Sequence, residues 1–553
     1  MKLLKDLFSR YPAAVAAGGT AVFAAAAGLY ATLFTNLPSF DPKYAVYLDV
    51  ANFYWIQLWA DPGLFPKDPL AAWYLSRIQT FCTELPWIWV TSLFMRITPY
   101  TLGLRFLTAL ACAAGALLVF RLAARSAARP AITAVLFTVY FLSMDTFFGV
   151  PRVYGLLAFL AFLVAVEEKR FLLLPFLMVL SLLAYPIAAL GAAFSALLVP
   201  LFFRADFADR RLLARYAAAM AAAGLLCVVA IWGSAAGEGI GRALQAGNGF
   251  EAYKLYQFVD RPLDTRNPLH LLAYFVLNLN EYGRLYPVMS ALLALAAAAG
   301  ALARPGWLFL PVSVKLSLAG ALAAFAALYV LHPVSASRQT VFAVPLALVF
   351  LAADGLRRLG RGRLRTLAVA APAALLFAAL YLRLGLRESF RDYAPAYDYL
   401  AALPRDAVVA GHPRSRLLMG VPIFARRQAF LIDEHRDQYL MYLHGGADFD
   451  ARRAALVSAL YSATPDGACA LGPAYGVTHI VMEDGNYSRE YLDWAPTYPR
   501  ETEISAIVAA AREPLGFYGH ARKRAAFSWK SPRNSGLVFD LSECRKKGGI
   551  RLP

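Results

Sequence analysis

Four aspartates lie close together near the start of the chain: Asp41, Asp49, Asp61 and Asp68. A positioned carboxylate can accept the proton of an attacking hydroxyl group, and so act as a general base. Asp49 is our candidate for that base, and Asp68 is an alternate base or a supporting group. Asp41 and Asp68 each precede a proline, so roles in turns or helix caps compete with catalysis at these two positions.

Basic side chains that could bind a phosphate group lie in two later turns. Arg152 ends the segment 145–152, and Arg338 ends the segment 332–338. A guanidinium binds phosphate through paired hydrogen bonds and offsets its charge. We therefore predict that Arg338 and Arg152, together with His332, bind a phosphate. The alternative for the two arginines is anchoring to lipid headgroups at a membrane surface.

The composition indicates which elements must position these groups. The chain has 553 residues, of which 59% are hydrophobic and 16% are charged, and its net charge is +18. Soluble proteins are about 45–50% apolar and about 25% charged. The composition therefore excludes a soluble enzyme, a disordered chain and a disulfide-rich scaffold, and it predicts a polytopic membrane protein.

Apolar runs recur up to about residue 384, and many approach the length needed to cross a bilayer. They predict an all-α polytopic membrane bundle of roughly 11–13 transmembrane helices. The runs are 13–35, 101–121, 131–145, 153–167, 171–185, 187–203, 213–233, 286–303, 307–331, 340–354 and 366–384. The shorter apolar segments 86–98 and 267–281 are either further spans or helices in the membrane interface.

Lysine and arginine predict the orientation, because they are enriched in cytoplasmic loops. With the N-terminus inside, every basic cluster falls in an inner loop, and the largest is 357–365. The net charge is therefore a topology signal, and nucleic-acid binding is not expected. The first loop, 36–100, then lies outside the cytoplasm, and an odd number of spans places everything after residue 384 outside as well.

The composition becomes polar and charged at about residue 385. We predict a transmembrane domain over 1–384 and an extracytoplasmic α/β domain over 385–553. Its predicted strands are Ala407–Gly411, Ala429–Ile432 and Thr478–Glu483, and its predicted helices are Ala447–Ser462 and Glu501–Glu513. Cys469 and Cys544 both lie in this region and could pair if it is exported, although sequence alone does not place them together.

Sequence motifs of soluble cofactor and metal enzymes are absent. The chain has no P-loop, nucleophile elbow or HExxH motif. Asp41 and Asp49 have no adjacent acidic partner, so the sequence gives no ligand set for a divalent cation, and the need for one stays open. The sequence assigns no cofactor with certainty, and a divalent cation is the one candidate. Few charges lie within the spans, which argues against an ion-coupled transporter.

The layout resembles the GT-C superfamily of integral membrane glycosyltransferases. Tyr47-Leu-Asp49, followed by DPGLFPKD at 61–68, is similar to the first outer loop of uncharacterised bacterial members. Gly149-Val-Pro-Arg152 and Ser337-Arg338 resemble arginines at the starts of outer-facing helices in that group. In the polar region, segments 411–424 and 475–481 resemble the matching tail, where Gly411-His-Pro413 itself favours a turn at a strand end over a ligand.

The resemblance implies that a sugar is transferred, with inversion, from a polyprenyl-phosphate donor to an extracytoplasmic glycan, lipid or protein acceptor. It also implies a multi-pass protein of the bacterial inner membrane, surrounded by lipids, with a cytoplasmic N-terminus. Two alternatives remain from the sequence. One is a non-catalytic flippase or export component for lipid-linked sugars, and the other is an O-antigen polymerase or ligase.

Overall fold

The computed structural model places most of the predicted helices and much of the polar region. The residues it describes are 11–33, 45–46, 57–58, 61–69, 71–72, 85–97, 100–126, 129–143, 151–232, 293, 295, 298, 310–329, 340–358, 388–432, 446–494, 506 and 515–544.

The chain divides into two compact units. A helical unit comprises Met1–Pro42, Phe81–Ser234 and Ala246–Arg387, and a C-terminal unit comprises Lys43–Thr80, Ala235–Gln245 and Glu388–Pro553. Most of the first outer loop therefore groups with the polar end of the chain. The functional assignment of domains 1–384 and 385–553 stays a prediction, because grouping by contact does not assign a role.

Ten α-helices form the described part of the helical unit. They are α1 Pro12–Leu33, α2 Leu85–Ile97, α3 Tyr100–Ala124, α4 Pro130–Ser143, α5 Pro151–Glu167, α6 Leu174–Ala184, α7 Pro186–Phe202, α8 Arg210–Trp232, α9 Val312–Tyr329 and α10 Ala343–Arg358. Four of them begin at a proline, whose fixed φ and missing N–H suit the first position of a helix.

Three stretches of these helices are long and apolar enough to cross a membrane: Pro12–Leu29, Arg105–Ala124 and Arg210–Ala230. Other apolar helices in the described part of the chain are shorter. The membrane character is therefore supported, whereas the count of 11–13 spans stays a prediction. Almost all of the predicted runs 286–303, 366–384 and 267–281 lie outside the described residues.

Small residues let neighbouring helices of this unit approach closely. A Cβ added at Gly320 in α9 would lie 2.8 Å from the Cα of Ser195 in α7, and one added at Gly28 in α1 would lie 2.9 Å from Cys112 Sγ in α3. Close backbone approach at glycine is a typical way for membrane helices to gain van der Waals contact, because lipid offers no hydrophobic driving force between helices.

The C-terminal unit contains a five-stranded sheet in the order β4-β3-β5-β7-β6, and a separate two-stranded pair, β1-β2. The strands are β1 Ala45–Val46, β2 Glu388–Ser389, β3 Val408–Ala410, β4 Gln428–Ala429, β5 His479–Glu483, β6 Phe527–Lys530 and β7 Ser535–Asp540. Strand β3 is parallel to β4 and β5, while β7 is antiparallel to β5 and β6.

In the described part of this unit, six short helices accompany these strands. They are α11 Ala394–Ala402, α12 Arg416–Gly420, α13 Gly446–Leu460, α14 Asp466–Tyr475, α15 Arg489–Trp494 and α16 Gly516–Lys523. The three predicted strands and the first predicted helix match β3, β4, β5 and α13, with β4 shorter and earlier than expected. The predicted helix Glu501–Glu513 lies almost entirely outside the described residues. The predicted combination of α-helices and a β-sheet in this region is therefore confirmed.

A glycine cap and a disulfide fix helix α14 in this unit. Helix α14 ends at Tyr475 and is capped by Gly476, which has the left-handed φ of +72° that favours glycine at this position. Cys469 in α14 forms a disulfide with Cys544, and their Cα atoms are 5.8 Å apart. The pairing that the sequence left open is thus present, and it ties α14 to the end of the sheet.

Candidate functional site

The start of the first outer loop is hydrogen-bonded to the start of the polar region. Strands β1 and β2 pair antiparallel, with Ala45 opposite Ser389 and Val46 opposite Glu388. Asp49 follows β1 by three positions along the chain. Asp49 and Asp41 themselves lie outside the described residues.

A second part of the same loop packs into the core of the C-terminal unit. We call the described residues 57–58, 61–69 and 71–72 the anchored segment. Its side chains Leu58, Leu64, Phe65 and Ala71 are at most 3% exposed and belong to the same apolar core as the strands of the sheet. The DPGLFPKD motif is therefore part of this unit, because its Leu-Phe pair fills the core.

The charged ends of this motif form ion pairs with the C-terminal unit. Asp61 Oδ2 accepts hydrogen bonds from Arg426, at 2.7 Å, and from Arg405. Lys67 Nζ lies 3.1 Å from Asp406 Oδ2 and lowers the pKa of that exposed carboxyl. The side chain of Gln57 donates to the carbonyl of Ile423 at 3.3 Å. The sequence analysis did not identify Asp61 as part of such a cluster.

Asp68 closes the turn at the end of the motif. Its backbone N–H donates to the carbonyl of Phe65 at 3.1 Å, and its carbonyl accepts from the N–H of Ala72 at 3.1 Å. Phe65 has a left-handed backbone (φ 58°), a conformation that costs a non-glycine residue about 1 kcal/mol or more. Asp68 is 6% exposed. It is thus a buried carboxylate at the start of a helical turn, where Pro69 follows it.

Among the predicted phosphate-binding residues, the structure describes Arg152. It is exposed and occupies the second position of α5. The N-terminus of a helix carries partial positive charge from its free N–H groups, so a cation there adds to a local preference for anions. Arg338 and His332 lie outside the described residues. Asp68 and Arg152 belong to different units, and their convergence on one site stays a prediction.

A buried histidine lies just beyond the carboxyl end of β3. His412 Nδ1 accepts the backbone N–H of Arg414 at 3.3 Å, and its Nε2 lies 3.0 Å from the hydroxyl of Tyr491. Burial, assisted by the positive charges of Arg414 and Arg453, lowers the pKa of His412 to about 3. The ring is therefore neutral, with the proton on Nε2. The turn predicted at Gly411-His-Pro413 is confirmed, since residues 413–414 form a turn after β3.

Two carboxylates follow at the carboxyl end of β5. Glu483 accepts a hydrogen bond from Ser415, whose Oγ also caps α12, and burial raises the pKa of Glu483. Asp484 accepts hydrogen bonds from Tyr518 and Ser535, each at 2.5 Å. The sequence signal available for this network was an acidic residue at the end of a predicted strand, Glu483, with a second one, Asp484, directly after it. The connections from β3 and β5 run toward opposite edges of the sheet, and such divergence commonly marks a ligand-binding crevice in α/β sheets.

The described residues offer no evident metal site. No group of three or more histidine, cysteine, aspartate or glutamate side chains in that part of the chain is placed to hold a metal ion. Divalent cations prefer several converging oxygen ligands. We therefore assign no ligand for a divalent cation among the described residues.

No protein-family model matches the sequence, and a search of curated proteins finds no match. The structure, in contrast, is similar to solved membrane glycosyltransferases of the GT-C type, so the resemblance found in the sequence is confirmed at the level of the fold. The archaeal oligosaccharyltransferase of Archaeoglobus fulgidus, solved with a tethered acceptor peptide containing the NVT sequon, has a TM-score of 0.52 and 12% identity. The match covers 97% of this chain and 74% of that chain.

Two further structural matches are weaker. The same archaeal enzyme, AglB, in complex with an inhibitory peptide and a dolichol-phosphate, has a TM-score of 0.49 at 12% identity, over 99% of this chain and 75% of that chain. ArnT from Cupriavidus metallidurans in the apo state also has a TM-score of 0.49 at 12% identity, over 94% of this chain and 97% of that chain. Likeness at this level supports no inference about activity.

Proposed function

We propose that this chain is a membrane glycosyltransferase that moves a sugar from a polyprenyl-phosphate donor to an extracytoplasmic glycan, lipid or protein. The observation that carries the proposal is the fold likeness to the archaeal oligosaccharyltransferase, because it spans 97% of the chain and so includes both units. Since one fold can host several activities, the reaction has to be argued from the side chains.

The proposed reaction is a single displacement at the anomeric carbon, with inversion. Asp49 takes the proton of the attacking hydroxyl, and Asp68 is the alternate base or supports it. Arg338 and Arg152, with His332, hold the lipid phosphate that leaves with the electron pair of the broken bond. Two described features support these roles. Asp68 is a buried carboxylate, and Arg152 lies in the first turn of α5, where helix and side chain both favour an anion.

We further propose a multi-pass protein of the bacterial inner membrane, with a cytoplasmic N-terminus and the C-terminal unit outside. Exposed leucine and valine side chains on the described helices support contact with lipid. The Cys469–Cys544 disulfide supports an exported C-terminal unit, because disulfides persist in oxidising compartments. The sugar is left unassigned.

The test is transfer by the purified, reconstituted chain from polyprenyl-phosphate sugars, with product and bound lipid identified by mass spectrometry. Asp49→Asn should reduce kcat by about 10²–10⁴-fold, the usual contribution of a general base. Asp68→Asn should reproduce the loss if Asp68 is the base, or cause a smaller loss if it supports the base. Arg338→Gln and Arg152→Gln should raise the KM for the donor.

Asp448→Asn is the matched control, because Asp448 is an exposed carboxylate of the same unit that pairs with Arg452 on α13. It should leave transfer unchanged. Full activity in both Asp49→Asn and Asp68→Asn would show that the base is misassigned. Movement of a fluorescent lipid-linked sugar across the bilayer without any transfer would favour the flippase alternative instead.

A further inference from the structure

Two adjacent residues of opposite charge contact both ends of the DPGLFPKD motif. Arg405 pairs with Asp61, and its neighbour Asp406 pairs with Lys67. The positive residue thus meets Asp61, the first residue of the motif, and the negative residue meets Lys67, the last but one. This pairing specifies the chain direction of the motif. If the motif ran the other way past Arg405 and Asp406, Arg405 would face Lys67 and Asp406 would face Asp61.

A second arginine strengthens one side of this pattern. Arg426 donates to the same Asp61 oxygen at 2.7 Å, so a single carboxylate accepts from two guanidinium groups. Exposed single ion pairs contribute little, but networks with several partners contribute more. Arg427 beside them donates to the carbonyls of Ala401 and Leu403 at the end of α11, which ties this group to the frame of the unit.

The apolar contacts of the motif explain why its register matters. Leu64 and Phe65 are buried between the two charged ends, and Phe65 holds a left-handed backbone. A strained, buried turn persists only where its surroundings determine it strongly. The ion pairs lie on either side of this turn, and Asp68 follows it directly.

We propose that Asp61, held by Arg405 and Arg426, is a positioning residue that fixes the anchored segment, and with it Asp68, on the C-terminal unit. The inference rests on the proposed function for its catalytic consequence. Asp61 touches no reacting atom in this scheme and acts through the segment. The chain between β1 and Gln57, which carries Asp49, then runs between two points tied to the same unit.

The experiment measures hydrogen exchange and transfer kinetics on the full-length protein in lipid nanodiscs. The exchange probes are the amides of Leu64, Asp68 and Ala72, which donate within the segment. Asp61→Asn should make these amides exchange about fivefold faster or more, as expected for losing a charged network, while amides of β5 stay unchanged. It should also lower kcat about tenfold with KM within about twofold, because misplacement affects the reacting geometry more than binding.

Two further variants sharpen the result. The double variant Arg405→Asp with Asp406→Arg keeps the composition and net charge but places like charges opposite Asp61 and Lys67, so it should speed exchange at least as much as Asp61→Asn. Asp61→Glu should restore slow exchange and most of kcat. Asp448→Asn, which removes the exposed carboxylate of an ion pair on α13, should leave both readouts at the wild-type level.

Unchanged exchange at the three amides in Asp61→Asn and in the double variant would overturn the proposal. A loss of thermal stability with kcat unchanged would also overturn it, since a positioning role requires the kinetic effect. If the wild-type protein transfers no sugar but exchange responds as expected, the proposed function fails and the anchoring stands. If the wild type transfers sugar but the variants do not change exchange, the anchoring proposal fails and the proposed function stands.

Discussion

The helical unit and the C-terminal unit place their apolar side chains in opposite ways. Among the described residues, every exposed large hydrophobic side chain except Leu515 lies in the helical unit. On α8, Leu225, Leu226 and Val229 are 52–66% exposed. In the C-terminal unit the large apolar groups are in the core around the sheet. The helical unit therefore exposes an apolar surface of the kind that contacts lipid, whereas the C-terminal unit buries its large apolar side chains.

Buried polar side chains occur in both units, and Arg105 and Asp354 are examples in the helical unit. In the helical unit, ion pairs such as Arg121–Glu168 and Lys169–Asp206 join the ends of helices. In the C-terminal unit, His412 accepts a hydrogen bond from the backbone of Arg414, and Glu483 accepts one from Ser415. The helical unit thus combines close helix packing with buried hydroxyl groups and ion pairs at helix ends, and the C-terminal unit combines an apolar core with polar networks and a disulfide.

The largest expected effect is loss of the disulfide. Its loop spans 75 residues, and closing a loop of that length stabilises a fold by about 4.5 kcal/mol in the chain-entropy treatment. Cys469→Ser with Cys544→Ser should lower the free energy of unfolding of the C-terminal unit by up to about that amount, measured by denaturant titration. Cys227→Ala in the helical unit is the control, since Cys227 is a free thiol. Equal stability with and without reductant would contradict the prediction.

A charge on the lipid-facing side of α8 should have the next largest effect. Leu225→Arg puts a cation near the middle of this 23-residue helix, at a cost of roughly 2–3 kcal/mol. Leu515→Arg in the C-terminal unit should change stability by about 0.5 kcal/mol or less, as surface substitutions do. The fraction of protein inserted into membranes measures the first change. If Leu225→Arg inserts into membranes as well as the wild type does, the two units do not differ in their tolerance of an exposed charge.

Close helix contact in the helical unit can be tested at Gly320. Gly320→Val would force a side chain into the backbone of Ser195, and overpacking of this kind typically costs about 1–3 kcal/mol. Gly18→Val on α1 is the control, because a Cβ at Gly18 meets no atom within 4 Å. Thermal unfolding in detergent should separate the two variants. If both unfold at the same temperature, the α7–α9 contact contributes little.

The pH response of His412 should be the smallest effect near neutral pH. The folded state resists protonation of His412 down to a pKa of about 3, whereas the unfolded state takes the proton near 6.5. Stability is therefore lost as the pH falls below 6.5, by about 2 kcal/mol at pH 5. Glu483 has a raised pKa and contributes with the opposite sign. Comparing the wild type with His412→Gln isolates the histidine.

Hydrogen exchange of the β3 and β5 amides at pH 7 and pH 5 measures this response within the C-terminal unit. The wild type should lose protection at pH 5 relative to His412→Gln. A pH response that is identical in the two proteins would show that His412 is protonated without cost.

Much of the helical unit could be predicted from the sequence because its signal is local. A bilayer demands a long apolar run for each span, and the runs 101–121 and 213–233 became α3 and α8. The strands β3 and β5 were also predictable, since short apolar runs bounded by polar residues indicate buried strands. Strands β6 and β7 were not predicted. They pair antiparallel with each other and, through β7, with β5.

The candidate site was less predictable. The sequence singled out Asp68 and Arg152, and the structure places them as a buried carboxylate and an exposed helix-end arginine. The sequence did not identify the partners of Asp61, because Arg405 and Arg426 follow it by more than 300 positions. Asp49, His332 and Arg338 stay predictions.

The sequence by itself determined that this is an apolar helical chain with a polar α/β end and a GT-C-like layout. The apolar helices and the polar α/β end follow from composition and from periodic or continuous apolar runs, which act locally. The GT-C-like layout rests instead on the resemblance of short motifs to that superfamily. Only the tertiary structure decided that the DPGLFPKD motif belongs to the C-terminal unit, and that Cys469 joins Cys544. Both facts depend on contacts between distant parts of the chain, and no local property of either part specifies its partner.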